Sequence, residues 1–119
     1  MPHLTIEYTQ NLSGFPADQV LAEINLALSS HPDIGGEVGL RSRCIALEHF
    51  AVGTVREHRA FVHAKLQLLS GRSHASKKEM TERIARVLRH ATPRPAGMQI
   101  QLSIDVVDMD RDSYLRESW

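Results

Sequence analysis

Cysteine is almost missing from this chain: Cys44 stands alone among 119 residues. A lone thiol excludes an internal disulfide framework and suits a reducing cytoplasm. An excess of one charge is missing too. Fourteen Lys and Arg balance fourteen Asp and Glu, so no whole-protein field draws the chain to nucleic acid or to a membrane surface. No apolar run approaches the roughly 20 residues of a membrane-spanning helix. The first residues have neither the basic stretch nor the apolar core of a secretory signal. Seven histidines are present, but none stands at metal-ligand spacing from cysteine or acidic partners, so no metal site is expected. Gly35-Gly36 is too bare for a phosphate loop. The basic run Lys77-Lys78 with Arg83, Arg86 and Arg89 comes with no nucleic-acid module signature and reads as a solvated outer face. A soluble cytoplasmic protein is predicted, long enough for one domain with a modest core.

What is there is a pattern that occurs twice. Leu4, Ile6 and Tyr8 alternate with His3, Thr5 and Glu7, the period of a strand with one apolar face. Turn formers at 10–14 break it. Val20, Leu21, Ile24, Ala27 and Leu28 then fall on one helical stripe. Pro16 suits the first helical turn, and Ser29 to Pro32 ends the helix. Residues 38–49, rich in Leu, Ile and Val, read as a second strand, and 50–59 as a loop. Ala60, Val62, Ala64, Leu66 and Leu68 mark a third strand. Ser73 is a candidate N-cap for the second helix, with Ser76 and Glu79 as a competing capping box. Met80, Ile84, Val87 and Leu88 line that helix, and Thr92 to Pro95 stops it. Met98, Ile100, Leu102, Ile104 and Val106 alternate as a fourth strand, and the tail 108–119 has no period. A βαβ unit over 2–49 and another over 60–107 predict an α/β (α+β) two-layer sandwich. Its four-stranded sheet carries both helices on one face, and the strands within each unit are parallel.

That architecture leaves the other sheet face polar. It carries His3, Thr5, Glu7, His63, Lys65, Gln67, Gln99, Gln101, Ser103 and Asp105. Plain solvent exposure accounts for such a face. So does a ring of subunits with their sheets turned inward.

Met1-Pro2 is a common opening, yet it carries a chemical possibility. A small second residue is the usual signal for removal of the initiator methionine. Pro2 would then present a free secondary amine, whereas a proline within a chain has no N–H and no basicity. Burial or a nearby cation lowers such an amine from about 7.7–8.0. A neutral amine at neutral pH can act as a general base. While Met1 remains attached, the Pro2 nitrogen is an amide.

The chain resembles the tautomerase superfamily, and within it the 5-carboxymethyl-2-hydroxymuconate isomerases. The likeness rests on Met1-Pro2 opening a βαβ repeat, Gly39-Leu40-Arg41-Ser42-Arg43 on the second strand, Ala60-Phe61-Val62-His63 on the third, and Gly71-Arg72-Ser73 leading into the second helix. These pieces span about the first ninety residues; the tail does not match. The resemblance implies a homotrimer with the sheets inside, a site at each N-terminus beside a subunit boundary, and no cofactor. It also implies a polycarboxylate substrate from aromatic-compound catabolism, in homoprotocatechuate degradation. Pro2 would take the proton of the 2-hydroxyl group and return it to a distant carbon, giving the 2-oxo-3-ene isomer.

The arginines suit that role. Arg41 and Arg43 are two apart on a strand, so both point to one face and can converge on one anion, and the planar fork matches a carboxylate. Arg72 stands at a helix start, where free N–H groups also favour an anion. Each has a plainer reading: an ion pair with a neighbouring strand for Arg41 or Arg43, a solvated turn for Arg72. His63 matches a family histidine, a candidate substrate contact, but better suits a hydrogen-bonded interface. Cys44 has no activating partner in the sequence. Three alternatives stay open: a family member acting on another unsaturated acid, a non-catalytic trimer that binds an anion or partner, and an unrelated ferredoxin-like module.

Overall fold

The computed structural model describes residues 1–55 and 57–119. Seven strand-forming residues open it as β1, His3–Thr9. Helix α1 follows at Ala17–Ser29 and strand β2 at Arg41–Leu47. Strand β3 spans Arg59–Leu69, helix α2 His74–Ala91 and strand β4 Gln99–Met109. The strands form one sheet in the order β2-β1-β3-β4. Each βαβ unit is parallel, as its crossover helix requires, and the units join through antiparallel β1 and β3.

One face of the sheet is the core. Leu4 and Ile6 of β1 and Val62, Ala64, Leu66 and Leu68 of β3 are fully buried. Against them pack Val20, Ile24 and Leu28 of α1 with Met80, Ile84 and Leu88 of α2, all equally buried. Burying a Val, Leu, Ile or Met side chain contributes about 1.5–3 kcal/mol, so the eleven of these larger than Ala64 dominate the fold. The alternation that predicted them is the alternation observed.

Three boundaries move. The second strand was expected over 38–49 and forms only over Arg41–Leu47. Its only partner in the sheet is β1, whose seven residues pair with 41–47 and offer nothing further. Glu37–Gly39 instead makes a single 3₁₀ turn, closed by Leu40 N–H donating to Glu37 O at 3.2 Å. The fourth strand runs past 107 to Met109 because β3 is long enough to pair it, Leu69 opposite Met109. The tail therefore starts at Asp110, not at 108. The expected loop 50–59 ends earlier, since Arg59 already belongs to β3; Arg56 within it lies outside the described residues.

Helix starts are also resolved. Pro16 is the residue just before α1 and not in its first turn. Ser73 caps α2, its Oγ accepting from Ser76 N–H at 3.1 Å. The competing box does not form, because Ser76 Oγ donates to the Asp33 carboxylate and Glu79 is engaged by Arg83. The basic run is less solvated than expected. Lys77 pairs with Asp108 at 2.8 Å and is mostly buried, and Arg83 donates to Ala27 O at 2.8 Å. Only Lys78, Arg86 and Arg89 face outward. Among the described residues no helix is long and apolar enough to cross a membrane.

Candidate active site

Pro2 is buried at the mouth of β1. Its carbonyl accepts the backbone N–H of Arg41 at 3.2 Å, the first rung between β1 and β2. Parallel register then sets Arg41 beside His3 and Arg43 beside Thr5. Both arginines thus lie on the polar face, next to the amino terminus. Neither forms an ion pair with a carboxylate among the described residues. Arg43 Nη2 instead donates to His3 Nδ1 at 3.2 Å, and Arg41 Nη2 donates to Tyr114 Oη at 3.1 Å.

Arg72 is not a solvated turn residue. Its guanidinium donates to Leu69 O at 3.0 Å and to Asp33 O at 3.1 Å, which fixes the fork just before α2. With Arg111 it borders a cavity of about 520 Å³, also lined by Pro32, Asp33, Gly35 and Ser73. Arg111 is held by Ser70 O and lies over Gly71, whose φ of +115° favours glycine.

These cations act on the amino terminus. The α-amino group of Met1 is held below its ordinary value, first by burial and then by Arg41, Arg116, Arg72 and Arg111. Four guanidinium groups therefore disfavour a proton at this end of the chain. The Met1 side chain rests against Gly39: a Cβ built there would stand 2.2 Å from Met1 Cε and 2.9 Å from Sδ. Loss of Met1 opens that space against Gly39.

Pro2, Arg41, Arg43 and Arg72 are accordingly brought to one end of the molecule. His63 is not. It pairs with Glu7 across the strands and makes a 2.7 Å hydrogen bond to Ser103 Oγ. Four residues along β1 from His3 is about 13 Å, so within one subunit His63 stays apart from the arginine cluster. Cys44 lies on the helix side of β2, half-buried, its thiol pushed up to about 11 by burial and by Asp18. Among the described residues no group of His, Cys, Asp and Glu is arranged to hold a metal.

The sequence reading missed His3 and the tail. Arg111, Tyr114 and Arg116 all reach the amino-terminal region from a segment without period. The turn former Asp110 ahead of them is the only local signal.

Residues 2–118 match the family model of 5-carboxymethyl-2-hydroxymuconate isomerase. The chain belongs to that family. A 5-carboxymethyl-2-hydroxymuconate isomerase from Deinococcus radiodurans R1 is 30% identical over 98% of this chain and 88% of that one, with a TM-score of 0.85. A 5-carboxymethyl-2-hydroxymuconate delta-isomerase is 21% identical, covering 100% of this chain and 89% of that one at a TM-score of 0.81. At the level of fold alone the chain is similar to a fused 4-OT, a symmetric trimer, at 16% identity and a TM-score of 0.69 over 92% of this chain and 88% of that one. No curated protein matches the chain in sequence. This member of the isomerase family keeps the tautomerase fold, a four-stranded mixed sheet with two helices.

Proposed function

We propose that the chain, once Met1 is removed, isomerises 5-carboxymethyl-2-hydroxymuconate to its 2-oxo-3-ene form without a cofactor. The observation that carries this reading is the buried Pro2 with its amino-terminal end among four arginines, none of them paired with a carboxylate among the described residues. Pro2 accepts the 2-hydroxyl proton, the electron pair shifts through the diene, and Pro2 returns the proton to the far carbon. Proton and electron count are unchanged, so no redox partner is needed. Arg41, Arg43 and Arg72 hold the carboxylates and stabilise the dienolate oxygen, a fixed electrostatic contribution that needs no reorganisation. The reaction belongs to aromatic-compound catabolism in the cytoplasm.

A homotrimer completes the proposal. The polar sheet face would line its interior, and the fused 4-OT that shares the fold is a symmetric trimer. His63 with Ser103 then sits on the inner wall, as an interface histidine. Protein with a free Pro2, verified by intact mass, should consume the dienol in an ultraviolet assay and lose that activity as Pro2→Ala. Activity that survives Pro2→Ala removes Pro2 as the essential base. Inactivity of the processed protein moves the substrate to another unsaturated acid. A chain that keeps Met1 and only binds polycarboxylates is an anion-binding module.

A further inference from the structure

The tail delivers one side chain whose hydrogen-bonding capacity is not used up. Asp110 builds its turn: the carbonyl accepts Tyr114 N–H at 3.1 Å, and the carboxylate accepts Asp112 N–H at 3.2 Å and Ser113 Oγ at 2.9 Å. The turn swings Tyr114 onto the polar face, half-buried, its ring edge-on to His3 with centroids 6.1 Å apart. Tyr114 Oη lies 2.9 Å from His3 Nε2 and 3.1 Å from Arg41 Nη2.

Donor arithmetic assigns the hydrogens. A guanidinium has donors and no acceptor, so Arg43 makes His3 Nδ1 the acceptor at 3.2 Å. The ring proton must then be on Nε2, which donates to Tyr114 Oη. Arg41 donates to the same oxygen. Both lone pairs of the phenol are filled, and its O–H has no acceptor among the described residues. Burial, Arg41, Arg43 and the amino terminus lower the His3 pKa, which favours this neutral ring. Two donors on Oη, one of them cationic, draw electron density from the phenol and strengthen its O–H as a donor. A strut would need no spare hydrogen. This one has it at the guanidinium of Arg41, whose backbone N–H is bonded to Pro2.

We infer that Tyr114 is a catalytic hydrogen-bond donor, aimed by His3 and Arg43 and polarised by Arg41, that acts on the substrate oxygen as it loses its proton to Pro2. This rests on the isomerase reading above. His3 is a positioning residue, since it sets the direction of the hydroxyl without touching the reacting atoms; Arg43 fixes the His3 ring through Nη2 and leaves its other N–H groups for the substrate. The tail is then a wall of the site.

The test uses the full chain with Met1 removed, 5-carboxymethyl-2-hydroxymuconate as substrate, and two changes at one position. Tyr114→Phe keeps the ring against His3 and removes the hydroxyl. It should lower kcat about 10- to 100-fold, toward the loss seen when one oxyanion donor is deleted, with KM within about threefold. Site-specific 3-fluorotyrosine at 114 makes the hydroxyl a stronger donor and a weaker acceptor. It should match or exceed the wild-type kcat. A Phe variant with wild-type kcat overturns the inference, as does a kcat that drops on fluorination, which would mark Oη as only an acceptor for Arg41 and His3. Wild-type protein inactive on this acid overturns the isomerase reading and this inference together; active wild type with an indifferent position 114 overturns this inference alone.

Discussion

The N–H of Arg41 donates to the carbonyl of Pro2 at 3.2 Å, so the arginine that acts most strongly on the amino terminus is tied to the proposed base by the backbone. Binding and base tuning share this one rung. An arginine placed to hold a carboxylate also repels a proton from the amine.

A pH dependence follows. The amino terminus is held below its ordinary value by burial and four arginines. An amine so lowered is neutral, and active as a base, above its pKa and is protonated as pH falls through it. In the processed protein the acid limb of kcat/KM should therefore lie below about 7.7–8.0. Arg41→Ala removes a repelling cation, so the limb should move up in pH. A limb that stays put would separate Arg41 from the tuning.

Arg72 is fixed by two carbonyls, Leu69 O and Asp33 O, in a half-buried setting. Lysine cannot reproduce that planar fork. Arg72→Lys should lower kcat/KM by roughly 10- to 100-fold and destabilise the fold by about 1–3 kcal/mol through the unpaired carbonyls. Steady-state kinetics and urea unfolding read the two effects separately.

Gly39 tests the space left by Met1. Among the described residues, the atoms that a Cβ there would meet within 4 Å are Met1 Cε and Sδ. After processing, Gly39→Ala should leave thermal stability unchanged or raise it by up to about 1 kcal/mol. Its methyl would fill part of the space that the Met1 side chain vacates, so KM should rise several-fold. Unchanged KM would place the substrate elsewhere.

Cys44 should be inert. With its thiol pushed up to about 11, roughly one molecule in a thousand carries thiolate at pH 8, against about one in four for a free cysteine near 8.5. Labelling by iodoacetamide at pH 8 should be more than a hundredfold slower than for free cysteine, and should recover on unfolding.

Local periodicity made most of the fold legible. Alternation along β1, β3 and β4 and the helical stripes of α1 and α2 are properties of neighbouring residues, so they survive without knowledge of the partner elements. For the same reason Arg41 and Arg43 could be placed on one face, and Arg72 at a helix start. Strand ends were less legible, because the partner's length decides them: β2 stops where β1 runs out.

By itself, then, the chain's sequence determined a repeated βαβ sandwich, its core and two arginines on one face of a strand, all consequences of spacing; a site at Pro2 came from the family resemblance. The tertiary structure alone decided that β1 and β3 pair antiparallel, that His63 stands apart from Pro2, and that the tail folds back. Tyr114 meets Arg41 across 73 positions and His3 across 111. Contacts that distant leave no period in the residues that make them, since nothing near Tyr114 in sequence depends on where its hydroxyl ends.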